Sequence, residues 1–162
     1  MNARSIVIIS LLILLICLTR VSNVQAQTLN ISDLKYPAHA VLHNGVAQVT
    51  ITFTVTYSSL PANGLLGFGP DLVNPDGSYS DVPGSGTTTP DSCTLESQSG
   101  TTYAFCFVLP KSSSGTESGS FTFSLNSAQQ YKLVAGAMAY DASGKSIGTS
   151  LTTQAFTVSV TQ

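Results

Sequence analysis

From Val46 to Tyr57 the chain reads VAQVTITFTVTY, and Val49, Ile51, Phe53, Val55 and Tyr57 alternate with Gln48, Thr50, Thr52, Thr54 and Thr56. Period-2 alternation in β-branched and aromatic residues predicts a strand with one buried face and one threonine face toward water. Large apolar side chains in an unbroken row need a second sheet over them. The same alternation predicts inward faces for Phe121, Phe123 and Leu125, and for Phe156, Val158 and Val160 in a closing strand over Thr153 to Val160. It also groups Tyr103, Phe105, Phe107 and Leu109 on one face of Thr102 to Leu109, which is expected to enter the core. Tyr131 to Tyr140 (YKLVAGAMAY) is apolar on both faces, the pattern of a central strand or of one that docks a second surface.

Turn chemistry punctuates these strands. Gln27 to Lys35 alternates at Leu29 and Ile31 and stops at Tyr36-Pro37, so it reads as a first strand confined to an edge. Ala38 to Leu42 continues that edge, and His43-Asn44-Gly45 turns into the long strand. Gly64 to Phe68 is a glycine-spaced strand, and Asn74-Pro75-Asp76-Gly77 is a type I turn joining residues 65 to 73 with Tyr79 to Val82. Val82 to Pro90 and Lys111 to Gly119 contain little but Gly, Pro, Ser and Thr, and both read as surface loops. Asp141-Ala142-Ser143-Gly144 is a tight turn leading to a return through Ser146 to Ser150. Helical periodicity is absent after residue 26. About seven to nine short strands with regular turn signals predict an all-β, two-sheet antiparallel sandwich.

The first residues are of a different kind. Arg4 precedes an apolar run from Ser5 to Leu18, broken only by Ser10, and Val24-Gln25-Ala26 supplies a small residue at a cleavage point. Residues 1–26 therefore read as a secretory signal peptide cut before Gln27, leaving 27–162 as one domain. The run is shorter than the ~20 apolar residues that span a bilayer, and none follows it, so no membrane attachment is expected after cleavage. Bulky Ile16 before Cys17 argues against a lipid-bearing cysteine.

Charge changes the picture further. Asp, Glu, Lys and Arg make up 9% of the chain and the formal net charge is -2, where about 25% charged residues is ordinary. No basic stripe is available for a phosphate backbone, which argues against nucleic acid. Serine and threonine take over the polar surface, compatible with low-pH or high-salt surroundings, a glycan coat, or close packing against copies of the same chain. Asn30-Ile31-Ser32 is an N-glycosylation sequon at Asn30, meaningful in an exported chain. Once the leader is gone Cys93 and Cys106 remain, and folding about Gln98-Ser99-Gly100-Thr101 places them opposite each other as a hairpin disulfide.

Candidate chemistry is sparse. His39 and His43 are four apart, but in an extended segment that is about 13 Å, too far for one metal ion. Asp71, Asn74, Asp76, Ser78 and Asp81 carry enough oxygens for calcium, although turn chemistry alone accounts for Asn74-Pro75-Asp76-Gly77. Neither a strained nucleophile turn nor a copper-type Cys/His cluster occurs near the C-terminal end, so no catalytic residue, metal ligand or cofactor is assigned. Tyr36, Tyr57, Tyr79 and Tyr140 could build a stacking platform for sugar rings, set against rim or core packing.

Leu125, then Tyr131 opening YKLVAGAMAY, a YDASGK hairpin and a final FTVSV strand resemble the last three strands of immunoglobulin-like and fibronectin type III-like domains. In those domains the tyrosine at this corner bonds back to upstream backbone, which implies a tyrosine corner at Tyr131 with Leu125. LNISDLKYP followed by VTITFTVTY also resembles the opening of such modules in secreted surface proteins of prokaryotes, archaea included. The resemblance implies a non-catalytic structural or adhesive protein, extracellular and cell-surface associated, that acts through protein partners or self-association. A sharper version is a filament subunit that donates Gln27 to Lys35 to a neighbour's sheet, against pairing within its own domain, which needs no partner. The alternative function is a carbohydrate- or small-ligand-binding module.

Overall fold

A computed structural model describes residues 27–162; the predicted leader, residues 1–26, lies outside them. The described chain is an all-β, two-sheet sandwich, as the alternation predicts. One sheet has four strands, β1 (Thr28–Lys35), β3 (Ala47–Ser58), β9 (Gly115–Leu125) and β6 (Gly84–Thr89), in the order β1-β3-β9-β6. The other has eight. Its main path runs β2 (His39–Val41), β12 (Phe156–Thr161), β10 (Gln130–Tyr140), β4 (Leu65–Val73), β8 (Thr101–Val108) and β7 (Thr94–Gln98). β5 (Tyr79–Asp81) pairs with β4, and β11 (Ser146–Thr152) with β10.

The long threonine strand lies where its pattern requires. β3 runs antiparallel to β9, from Ala47 opposite Leu125 to Tyr57 opposite Gly115. Val49, Ile51, Phe53, Val55 and Tyr57 are all buried against the second sheet. Phe53 stacks on Phe121 at 5.3 Å between centroids, and Phe68 of β4 meets both rings edge-on, at 5.9 and 5.8 Å. Each such pair contributes roughly 0.5–1.5 kcal/mol beyond its buried area. The outward face is a hydroxyl lattice: Thr50 and Thr122 share a hydrogen bond of 2.8 Å, Thr54 and Ser118 one of 3.1 Å, and Gln48 Nε2 donates to Ser124 Oγ at 2.8 Å.

β1 pairs antiparallel with β3 of its own domain, from Thr28 opposite Ser58 to Lys35 opposite Thr52, with a register shift after Ser32. At Tyr36-Pro37 the chain leaves this sheet, and β2 joins the other, so Ala38 to Leu42 is not a continuation of the same edge. β2 runs parallel to β12, the one departure from antiparallel pairing among the described strands.

Two expected loops contain strand. β6 occupies most of Val82 to Pro90 and pairs with β9 from Gly84 opposite Phe123 to Thr89 opposite Ser118. Glycine makes this packing: a Cβ on Gly86 would stand 2.7 Å from a Phe121 ring carbon and 3.1 Å from Cys106 Sγ. β9 likewise begins at Gly115 inside the expected loop 111–119. Composition hid both strands because their side chains are small and hydroxylated, and tertiary pairing overrode low strand propensity. With the three-residue strands β2 and β5 added, the described residues hold twelve strands, against about seven to nine expected.

The ring cluster sets the core's sensitivity. Phe53→Ala is expected to cost about 3–5 kcal/mol through lost transfer energy and the cavity left between Phe68 and Phe121. Urea unfolding should show a lower midpoint with an unchanged slope; a loss below about 1 kcal/mol would mean that the sheets close over the gap.

Candidate functional site

The face of β8 opposite to the one expected enters the core. Ala104, Cys106 and Val108 are buried, whereas Tyr103, Phe105 and Phe107 are half-buried on the outer surface of the eight-stranded sheet and Leu109 is 55% exposed. The cause is register. Leu66 lies opposite Val108 and Phe68 opposite Cys106, so β4 and β8 turn the same parity inward. Phe53, Phe68 and Phe121 already fill the space that a second aromatic row would need.

Glycines on β4 receive the displaced rings. A Cβ on Gly67 would stand 2.9 Å from ring carbons of both Phe105 and Tyr140, and one on Gly69 would meet the Ala104 carbonyl at 2.5 Å. The outer face thus carries a continuous aromatic strip: Phe105 and Phe107 lie 5.4 Å apart, and Phe107 and Tyr140 5.6 Å apart, all edge-on. Beside it a shallow cavity of about 140 Å³ is lined by Asp71, Tyr79, Phe105, Gly136, Met138 and Leu151. Tyr79, at its rim, is 54% exposed.

Asp71 is the carboxyl group of this cavity. It lies opposite Asp81 across β4 and β5, and its Oδ2 is 3.3 Å from where a Gly136 Cβ would stand. Burial raises its pKa to about 7, and the charges of Asp81 and Glu96 add to that. Burial followed by Asp81 likewise raises Glu96, and burial followed by Glu96 and Asp81 raises Tyr140. Three acidic groups therefore border an aromatic strip.

The other predicted residues are placed as follows. Cys93 and Cys106 form a disulfide with Cα atoms 5.3 Å apart. They are not directly opposite, because Leu95 holds the position across from Cys106 and β7 has a register shift between Leu95 and Ser97. Asn30 is exposed on β1, across from Thr56 on the hydroxyl face. Leu125 is buried, and Tyr131 is the second residue of β10. Burial pushes the Tyr131 hydroxyl up, but hydrogen bonds with Ser127, Gln129 and the backbone at Ser127 and Asn126 outweigh it and hold it below the usual phenol range. Of the four tyrosines, Tyr57 is buried in the core and Tyr36 stacks on Phe156 at 4.2 Å, leaving Tyr79 and Tyr140 to share the aromatic face.

The calcium set is not assembled. Asp76 Oδ1 accepts from the Ser78 N–H and hydroxyl at 2.9 and 2.7 Å, and Asn74 Nδ2 donates to Ser78 and Ser80. These groups hold their own turn, away from Asp71 on the sheet. His39 and His43 line one surface pocket with Pro37 and Val41. Among the described residues no group of three His, Cys, Asp or Glu could hold a metal ion.

Glu117 is a buried acid that alternation could not single out, since it sits at a core-facing position of β9 with only 1% exposure. The Asp91 N–H donates to its Oε2 at 3.3 Å, and Lys111 Nζ lies 3.4 Å from Asp91. Burial raises its pKa. This cluster ties the segment before β7 to the one before β9.

Asp71 gives stability a definite dependence on pH. Its folded pKa lies above the unfolded value, so its contribution is complete below about pH 4 and is lost as pH rises through about 7. The melting temperature is expected to fall between pH 5 and 8, with raised Glu96 and Glu117 acting in the same sense, and Asp71→Asn to reduce that fall, recovering about 1–3 kcal/mol at pH 8. Asp76 and Asp141, held low first by their hydrogen bonds to Ser78 and Ser143, act in the opposite sense. Their window lies below about pH 4, outside that interval. A wild-type profile already flat from pH 5 to 8 would show that Asp71 is solvated.

No protein-family model matches the chain, and no curated protein matches it. Similar solved structures include the cohesin module of a family 33 glycoside hydrolase from Clostridium perfringens, at 10% identity and TM-score 0.44, covering 83% of this chain and 98% of that one. A non-cellulosomal cohesin from the archaeon Archaeoglobus fulgidus is similar at 14% identity and TM-score 0.39, covering 85% and 92%. Self-complemented MyfA, the major subunit of Myf fimbriae from Yersinia enterocolitica, is similar at 11% identity and TM-score 0.39, covering 83% and 99%.

Proposed function

We propose that this chain is a secreted, non-catalytic structural or adhesive protein that works by protein contacts through the outer face of its eight-stranded sheet. The observation that carries this reading is the asymmetry of the two outer faces. One is a mutually bonded hydroxyl lattice that suits water; the other carries Phe105, Phe107, Tyr140, Met138 and Tyr79. A contiguous aromatic surface on a sheet that could have been polar marks a place where a partner docks. Asp71, Asp81 and Glu96 at its border favour a partner with Lys or Arg around an apolar centre. Export is read from residues 1–26 and fits the disulfide between Cys93 and Cys106.

The filament version places β1 on a neighbour. The antiparallel ladder that β1 makes with β3 would serve equally in trans, which is how donated strands work. Pairing in cis remains the preferred state, since it requires no second chain. A carbohydrate reading has one observation of its own: Tyr79 is exposed beside a small cavity whose lining includes a carboxyl group, an arrangement suited to stacking a sugar ring.

Light scattering and electron microscopy on the native secreted protein test the main reading. Assembly, or a stable complex with a surface protein, is expected, and Tyr79→Ser with Phe107→Ser should weaken it at least about tenfold, the loss typical of central aromatic contacts. Deleting residues 27–35 should lower stability outright if β1 serves its own domain, or leave a folded monomer that cannot assemble if it is donated. A monomer with no partner that binds glycans through Tyr79 would replace the protein-contact reading with the carbohydrate one.

A further inference from the structure

Gln27 follows Val24-Gln25-Ala26 directly and leads into β1. Its side chain crosses to β11, where Oε1 would lie 2.8 Å from a Cβ placed on Gly148. Gly148 has φ of 73°, so both its backbone and its contact with Gln27 favour a residue without a side chain. Gln27 Nε2 is buried there and has no hydrogen-bond partner; it is the one side-chain nitrogen or oxygen in that condition among the described residues. Leaving a buried amide donor unpaired costs about 1–3 kcal/mol. The oxygen of this amide is packed, whereas its nitrogen contributes nothing.

We infer that Gln27, once exposed as the first residue, closes to pyroglutamate, making it a modification site of the mature protein. The inference rests on the export reading, which supplies the free α-amine. In the step, the Gln27 α-nitrogen attacks Cδ and an N–Cδ bond forms. The Cδ–Nε2 bond breaks, one proton passes from the α-nitrogen to Nε2, and ammonia leaves. No oxidant, reductant or water is consumed. The five-membered lactam retains Oε1 as its carbonyl oxygen and discards the nitrogen that lacks a partner. It also removes the α-ammonium charge, which would otherwise stand at the start of an edge strand whose first side chain, Thr28, is engaged with Ser58 at 2.6 Å. The product has no free amine, so aminopeptidases cannot begin to trim β1 from β3.

The test is the intact mass and terminal chemistry of the protein secreted from the full-length gene with its leader. The expected product begins at residue 27 and is about 17 Da lighter than the same disulfide-bonded chain with an open Gln27, the mass of the ammonia lost. It should resist amine labelling until pyroglutamyl aminopeptidase removes the first residue. Gln27→Ala should be secreted with its full mass and a reactive amine, and should lose residues of β1 to an aminopeptidase that leaves the wild type intact. A chain that begins at Gln27 and keeps full mass and a reactive amine after prolonged incubation would overturn the modification and leave export standing. A chain that begins elsewhere would overturn both, and the terminal peptide distinguishes the two failures.

Discussion

Phe68 and Cys106 face each other across β4 and β8 with both side chains in the core, and this shared parity orders the rest of the molecule. A strand has two faces, so once Cys106 points inward to meet Cys93, every odd-numbered neighbour on β8 must point out. Three aromatic residues then stand on the surface of the larger sheet. A slip of one residue would put Phe105 and Phe107 into a core that Phe53, Phe68 and Phe121 already fill, and would break the disulfide geometry. Packing and covalent chemistry therefore select the same register.

That selection depends on small residues at matching positions. Gly67 and Gly69 sit under the Phe105 and Tyr140 rings, and Gly84 and Gly86 let β6 close over Phe123 and Phe121. Glycine in a strand interior costs conformational entropy, so its recurrence in GLLGFG and GSG is informative only with the neighbouring strand in view. On β10 the same economy of volume recurs: Ala135, Ala137 and Ala139 fill the inward face opposite Pro70, Phe68 and Leu66, and Gly136 leaves room for the Asp71 carboxyl outside.

Much of this architecture was legible in the chain. The alternation of β3, the inward phenylalanines of β9, the Asn74-Pro75-Asp76-Gly77 turn between β4 and β5, and the two-sided apolarity of β10 all translate directly into position. The aromatic face was misassigned for a specific reason: TTYAFCFVL alternates between aromatic and small apolar residues, so both faces qualify as core by hydropathy. Only the cross-strand partner decides, and that is long-range information. The signal that could have settled it is Cys106, since a cysteine bridged to an adjoining edge favours the sheltered face, and its parity is that of Ala104 and Val108. β6 escaped notice because Gly, Ser and Thr spell a loop when read locally, and Glu117 because one acid among serines gives no hint of burial.

The hydroxyl and aromatic faces also divide the solvent problem between them. With few charged residues, the chain cannot keep both broad surfaces wet by ionic groups. The four-stranded sheet solves this with neutral hydroxyls that bond to one another across β3 and β9 and still have capacity for water. The larger sheet does not solve it: Asp71 is partly desolvated, Asp81 adds a like charge, and the rings of Phe105, Phe107 and Tyr140 remain half-exposed. A partner that brings cations and apolar area would relieve the repulsion and cover the rings at once. Water satisfies the carboxylates of this face but not its rings, so the two outer faces meet solvent on unequal terms.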